Sequence, residues 1–370
     1  MSQGNNSVPT SVYVAPFHIA KREDISWWAA WLIRLAAIVV ALVVCGVITI
    51  LLTDINPVDM FYAMIEGSFG TTRRIWNLFQ NTAILLCVSL AVTPAFKMKF
   101  WNIGGEGQIL AGGLATASCM IFLGDKFSEP TLITVMFLAS ITAGALWALI
   151  PAFFKTQFNS NETLFTLMMN YIAIQIVAYF TLEWSVPKGS GTPRNLTDGQ
   201  LPMLLDQKYL INILVVAVVT AVMYIYLKYS KQGYEISVVG ESEKTAKYIG
   251  INVKKVVLRT MAISGAICGI AGFLLVAGTD HSLKSDTSGG RGFTAIMVSW
   301  LAKFNPLFMI LTSLLIVFLE KGASKISEVY KLNSSFSDII TGIIIFFIIG
   351  CEFFINYKIK YVSNRKESNV

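Results

Sequence analysis

LAAIVVALVVCGVITILL, residues 35–52, contains no charged side chain and presents apolar groups on almost every face of a helix. Such a helix reaches about 27 Å, close to the roughly 30 Å of hydrocarbon in a bilayer. Working outward, comparable runs follow at residues 83–92, 109–123, 132–154, 164–180, 211–227, 256–277, 307–319 and 339–354. A water-soluble domain has little use for so many helices that are apolar all round. The fold class is therefore all-α, a polytopic transmembrane helix bundle of about eight to ten membrane segments.

Composition agrees. Of 370 residues, 55% are hydrophobic and 14% charged, against about 25% charged in soluble domains. The longest polar stretches, residues 182–210 and 229–256, are too short for a catalytic domain. The net charge of +7 is explained by basic loops on one membrane face rather than by nucleic-acid binding, because the lysines and arginines lie in separate loops with no aromatic residues interleaved. Cys45, Cys87, Cys119, Cys268 and Cys351 each sit in an apolar run and read as small core residues. His18 and His281, the two histidines, are too few for zinc or haem chemistry unless carboxylates help.

Charge sets the expected orientation. With both termini inside, the inner loops and tails hold 16 Lys/Arg and the outer loops hold eight, namely Arg73, Arg74, Lys126, Lys188, Arg194, Lys208, Lys284 and Arg291. Residues 1–30 read as a cytosolic leader and residues 31–356 as the membrane domain, with a cytosolic loop at 229–256. Residues 357–370 form a cytosolic tail. Asp54, Asp59 and Glu66 fall in an outer loop. For the last helix to begin outside, residues 293–319 must enter the membrane and return. The stretch at 293–301 is too short to span and LAKFNP interrupts the run at Asn305–Pro306, so a re-entrant half-helix followed by a longer helix fits. A kinked pair of ordinary spans is the alternative.

Four segments carry polar groups into this apolar background. WNIGGEGQILAGG (101–113) brings Asn102, Glu106 and Gln108 to the mouth of an apolar helix beside Gly104, Gly105 and Gly107. Such groups are costly in hydrocarbon unless paired or hydrated. The segment either faces a translocation path or makes a cap and turn with glycine-mediated packing. In NSNETLFTLMMNY (159–171), Ser160 or Asn161 suits a helix cap and Glu162 suits the positive helix end. Asn170, two turns further on, is an interhelical fastener or a polar contact in the pore. GESEKTAKYIGI (240–251) reads as a short amphipathic helix along the membrane, with Ala246, Tyr248 and Ile249 on one side and Lys244 and Lys247 exposed. It docks a cytosolic partner or lies at the headgroups. TDHSLKSDTSGGRGFTA (279–295) is rich in turn residues and lines an outer vestibule or forms a plain loop.

No P-loop, H-E-x-x-H or nucleophile elbow occurs, so the chain is not expected to hydrolyse ATP. The spans are poor in carboxylates, which disfavours the ion-coupled secondary carrier that is the rival transport mechanism.

At these motifs the chain resembles the inner-membrane permease subunits of bacterial ATP-binding-cassette importers for nucleosides, which group with ribose and branched-chain amino-acid permeases. The resemblance spans about residues 30–355. It rests on Asn102, Ile103, Gly104, Glu106, Gly107 and Gln108 of the first segment, and on Asn161, Glu162, Leu167, Met168, Asn170, Tyr171, Ile172 and Ala173 of the second. Gly240, Ala246, Gly250 and Ile251 match the coupling region, and Gly290, Gly292, Phe293, Ile296 and Pro306 match a fourth element. Met297, Ser299, Trp300 and Ala302 depart from the usual small or aliphatic pattern there.

The resemblance implies nucleoside translocation by alternating access in a bacterial cell membrane, with ribose-like sugars the next substrate class. It implies a second homologous permease, cytosolic ATPase subunits and an extracytoplasmic substrate-binding lipoprotein as partners. ATP and magnesium belong to the ATPase subunits, so this chain binds no cofactor of its own. Asn102, Gly104, Gly105, Glu106, Gln108, Asn170, Phe293 and Trp300 become candidates for the pathway. Gly240, Glu243, Lys244, Ala246, Lys247 and Gly250 become candidates for the coupling loop.

Overall fold

The computed structural model describes residues 17–22, 25–53 and 56–361. They form thirteen α-helices and one two-stranded sheet. The helices are α1 (Trp27–Leu52), α2 (Pro57–Phe69), α3 (Thr72–Lys97), α4 (Gly105–Leu123), α5 (Glu129–Phe158), α6 (Glu162–Glu183), α7 (Leu210–Tyr229), α8 (Lys231–Glu241), α9 (Glu243–Tyr248), α10 (Val253–Leu275), α11 (Arg291–Leu301), α12 (Pro306–Val329) and α13 (Ser334–Asn356). Among the described residues, nine of these helices are long and apolar enough to cross a membrane, and every expected apolar run lies in one of them. The chain is an almost entirely α-helical membrane-spanning bundle.

The chain divides into two compact units, residues 61–334 and residues 1–60 with 335–370. In the second of these, α1 and α13 are joined by an ion pair in which Arg34 Nη2 lies 2.7 Å from Glu352 Oε1. Strands β1 (Phe17–Lys21) and β2 (Tyr357–Tyr361) pair antiparallel, with Phe17 opposite Tyr361 and Lys21 opposite Tyr357. The expected leader and tail thus contain a strand each. Tyr357, Ile359 and Tyr361 do alternate with Lys358 and Lys360, but so short a strand becomes visible only through its partner at the other end of the chain. The rest of the leader, residues 1–16 and 23–24, the tail residues 362–370 and Asp54 of the expected outer loop lie outside the described residues.

In residues 61–334, α3 and α10 are the most buried spans. α10 is wedged between α4 and α5 at a point where glycines let the backbones meet. Gly112 of α4 and Gly144 of α5 both lie against Gly269, and a Cβ at Gly269 would fall on the Ser140 carbonyl. Close backbone approach through small residues is the usual way to pack membrane helices, since lipid supplies no hydrophobic drive between them.

The loops sort to two ends of this unit. At one end Gly240 packs on the Lys97 carbonyl, Lys254 Nζ donates to Gln157 Oε1 at 3.3 Å, and Lys155 Nζ pairs with Glu162 Oε2 at 2.8 Å. At the other, the Leu196 and Leu201 amides donate to the His281 and Ala277 carbonyls at 2.8 and 3.0 Å, and Gly124 abuts Asp198. α11 is the expected half-helix. It stops at Leu301, the chain turns through Lys303 and Phe304 at positive φ, and the Asn305 side chain caps α12 at the Leu307 amide, 3.1 Å away, with Pro306 in the first turn.

Two elements differ from expectation. Part of the outer loop before α3 is a helix, α2, which buries Met60, Ala63 and Met64 and presses Met64 onto Gly322 of α12. The inner amphipathic helix begins earlier than Gly240. Ser230 caps α8 at Gly233 N, and Ser242 ends that helix and caps the short α9 at Thr245 N. Two serine caps divide what reads as one polar segment.

Replacing Gly269 by Val is expected to force α10 off Ser140 and cost about 1–3 kcal/mol or more. A lowered thermal midpoint of the detergent-purified protein, with Ala266→Val as a control, checks this.

Candidate functional site

After α3 the chain turns back through residues 98–104 and restarts as α4 inside the bundle. Met98, Phe100, Asn102 and Gly104 of the turn are buried, Asn102 fully so, while Lys99 and Trp101 are exposed. The turn's depth follows from its partners. Asn102 Nδ2 donates to Ser264 Oγ at 3.1 Å, and Ser264 lies about 16 Å along α10 from Val253. Irregular backbone at such depth requires partners other than lipid, and the sequence supplies them. Asn102 Oδ1 accepts from Gly104 N at 3.0 Å and Gln108 Nε2 at 3.1 Å. The Ile103 amide donates to Thr166 Oγ1 at 3.2 Å. Asn170 of α6 does two things: its Oδ1 accepts from Gly107 N at 2.8 Å, and its Nδ2 donates to the Ile103 carbonyl at 2.9 Å.

Glu106 ties this junction to the half-helix. Its Oε1 accepts from Gly292 N at 2.7 Å, so the carboxylate caps the first turn of α11 while sitting in the first turn of α4. Both helix ends are partially positive, which favours an anion between them. The approach is possible because Gly105 and Gly292 face each other, a Cβ on Gly105 coming within 3.2 Å of Gly292 Cα. Farther along α11, Ser299 Oγ lies 3.0 Å from the Ser89 carbonyl of α3. Phe293 and Trp300, a face apart from this buried one, are exposed. Trp300 meets Trp101 with ring centroids 5.8 Å apart, and Phe96 meets Trp101 edge-on at 5.8 Å.

The expected pathway residues are thus brought together, in two roles. Asn102, Gly104, Gly105, Glu106, Gln108 and Asn170 form a buried clamp, while Phe293 and Trp300 present surface. Gln108 Oε1 and the neighbouring Trp147 Nε1 are the clamp's buried atoms without a partner.

A second polar group gathers at Arg291, the first residue of α11 and the neighbour of Gly292; Thr279 and Arg291 belong to the expected 279–295 segment, whereas Gln80, Asn81 and Asn212 were missed in the sequence. Arg291 Nη2 donates to Asn81 Oδ1 at 3.0 Å. Gln80 Nε2 donates to Thr279 Oγ1, and Asn212 Nδ2 reaches Thr279 Oγ1 at 3.3 Å. Thr279 lies in a π-helical turn, Val276–Asp280, that follows α10. Such turns often mark functional positions. Gln80 and Asn81 stand just before the apolar run at 83–92 and Asn212 just inside the one at 211–227, and that was the available signal. His281 follows at positive φ. Burial first, then the nearby Lys208, pushes its imidazole below the usual 6.5, and its Nδ1 is buried without a partner.

At the Lys97 end, α8 and α9 carry three lysines against three glutamates, and Lys228, Lys254 and Lys255 beside them make this end basic. Gly240 and Ala246 are buried against Lys97 and the ends of α5 and α10. Glu243, Lys244, Lys247 and Gly250 are exposed, and Tyr248 is 92% exposed. Beside them a cleft of about 350 Å³ is lined by Lys231, Glu235, Lys255 and Arg259, with Arg259 Nη2 2.9 Å from Glu235 Oε2. Among the described residues no group of three or more His, Cys, Asp or Glu is arranged to hold a metal.

The chain is similar to known permeases. A family described as "Branched-chain amino acid transport system / permease component" matches residues 74–349. A glucose ABC transporter permease of Haloferax volcanii is 27% identical over 366 residues, covering 93% of this chain and 94% of its own length. A guanosine ABC transporter permease of Bacillus subtilis is 27% identical over 343 residues, covering 90% and 96%. A nucleoside ABC transporter permease of Lactococcus lactis is 24% identical over 332 residues, covering 86% and 90%.

Asn170→Leu strands the Gly107 amide and the Ile103 carbonyl, so it is expected to destabilise the bundle by about 2–6 kcal/mol, at about 1–3 for each buried orphan. Thermal denaturation in detergent checks this. His281 is held neutral in the folded state, so its contribution is present above about pH 6.5 and is lost as the pH falls and the unfolded form takes up the proton. Hydrogen exchange at the Leu196 amide, corrected for intrinsic rate, should therefore speed up on acidification.

Proposed function

Because the chain belongs to the branched-chain amino acid transport permease family, and so is a non-catalytic permease subunit of an ABC-type importer, we propose that it carries nucleosides across a bacterial cell membrane. The observation that carries the proposal is the half-helix α11. It starts inside the bundle at the Glu106 carboxylate and turns Phe293 and Trp300 outward beside Trp101. Broken helices of this kind belong where backbone borders a cavity rather than lipid. Exposed aromatic rings offer stacking faces to a base.

In this reading the clamp is the fixed part and α11 the moving one. Asn102, Gln108 and Asn170 hold the start of α4, and Glu106 transmits its position to α11. Alternating access then repositions α11 without covalent chemistry on the substrate. The Lys97 end, with its run of lysines, faces the cytosol. There Lys244, Lys247, Tyr248 and Gly250 meet an ATPase subunit, which holds ATP and magnesium. A second homologous permease and an extracytoplasmic binding protein complete the importer. Two of the three relatives named above are described as guanosine or nucleoside permeases, which supports the substrate. The glucose permease relative supports a second reading in which the cargo is a sugar.

The test is ATP-dependent uptake into proteoliposomes by the assembled importer with its binding protein. Guanosine uptake that competing nucleosides suppress and glucose does not is the expected result, and glucose uptake alone would overturn the substrate. Glu106→Ala should lower transport at least about tenfold by releasing α11, while Glu106→Gln, which keeps an acceptor for Gly292 N, should retain most of it. Charge reversal at Lys244 and Lys247 should uncouple ATPase stimulation from transport with assembly unchanged, since both side chains are exposed and fold-neutral. Normal stimulation and uptake would count against that interface.

A further inference from the structure

We propose that the exposed face of α6 is a nucleobase-binding ladder made by Tyr171, Gln175 and Tyr179; this rests on the nucleoside reading above. The rotation of α6 is fixed by its buried face. Asn170 bonds to Gly107 and Ile103, and Thr166 accepts from Ile103 N. Tyr171, Gln175 and Tyr179, each four residues from the next, are thereby turned away from α4. All three are exposed, the two tyrosines at 57% and 62%.

Gln175 lies about 20 Å along the helix from Glu162 and about 12 Å from Glu183, well inside a bilayer's hydrocarbon. It makes no hydrogen bond among the described residues, and a bare amide is poorly tolerated against lipid. α7 provides the contrast. Its exposed residues between the ends are Leu214, Ala217, Val218, Ala221, Val222 and Ile225, all of them apolar. The surface of α7 suits lipid and that of α6 does not.

The face is open, and Met168, Tyr171, Gln175, Tyr179 and the rest of its lining all belong to α6. No charged side chain lines it, so the fitting ligand is neutral. An amide that donates and accepts side by side matches the paired donor and acceptor on the edge of a base. Tyrosines one turn above and below offer π faces on which a flat base can stack, and that contact tolerates different bases. A base can pass from one rung to the next without meeting a deep well.

The test uses the assembled importer with its binding protein. Gln175→Cys is treated with a membrane-impermeant thiol reagent, and the labelling rate is compared with that of the wild type, whose five native cysteines set the background. Labelling several-fold above background, slowed several-fold by saturating guanosine, is the expected result. In parallel, Gln175→Leu in a complex that assembles normally should raise KM for guanosine about tenfold or more, with a smaller change in kcat. Labelling no faster than background means that lipid or a helix of the second permease covers the face, and overturns the proposal. Labelling that guanosine leaves unchanged, or an unaltered KM in Gln175→Leu, overturns it equally. The two readings fail differently. A wild-type importer that takes up glucose and not guanosine removes the substrate reading, and the ladder with it. Wild-type guanosine uptake with an unprotected Gln175→Cys variant removes only the ladder.

Discussion

The structure of residues 61–334 depends on satisfying the backbone of one partly buried turn. Between α3 and α4 the chain reverses inside the bundle, where each unpaired amide or carbonyl is expensive. Asn102, Asn170, Thr166 and Ser264, drawn from two helices and the turn itself, take up that burden. Their bonds fix where α4 starts, how α6 is rotated and where α10 passes. Glu106 extends the same set to α11 through Gly292 N. The polar residues are thus concentrated at a joint, and the joint makes a broken helix possible.

Around that joint the packing is tight and unspecific in chemistry. Gly112, Gly144 and Gly269 bring α4, α5 and α10 to backbone contact, and apolar side chains of α3 and α10 fill the remaining core. This rigid centre leaves three surfaces with different characters. The charged end formed by α8 and α9 with their flanking lysines suits a soluble partner. The exposed side of α7 suits lipid. The surfaces carrying Phe293, Trp300 and Trp101 at α11, and Tyr171, Gln175 and Tyr179 on α6, expose aromatic rings and, on α6, an amide, and suit neither. That third character is the physical reason to place cargo there. In a bilayer, exposure of mixed polarity implies water, a partner or a ligand in contact.

Much of this was legible in the sequence. The nine spans announce themselves because a bilayer-crossing helix must be apolar over a length that the bilayer imposes. The half-helix was legible too, through a run too short to cross and the Asn305–Pro306 break. Within the motif segments, Asn102, Glu106 and Asn170 stood out because polar residues are rare in such surroundings. Less legible were Gln80, Asn81 and Asn212. They stand at the edges of apolar runs, with no glycine or neighbouring carboxylate to draw attention. The helix α2 and the pairing of β1 with β2 were hidden because each is defined by contacts with distant parts of the chain.

What the sequence determined by itself is the environment: which segments lie in hydrocarbon, where they end, and which side chains cannot be left there unpaired. Hydropathy is a sum over neighbours, so local composition fixes it. What only the tertiary structure decided is the use of each polar group. Asn170 and Gln175 are five residues apart on one apolar helix, and their sequence surroundings are alike. One is spent on Gly107 and Ile103 and the other faces outward, because the rotation of α6 is set by partners more than 60 positions away. A hydrogen bond between helices depends on distance in space, and that information exists only once the bundle has packed.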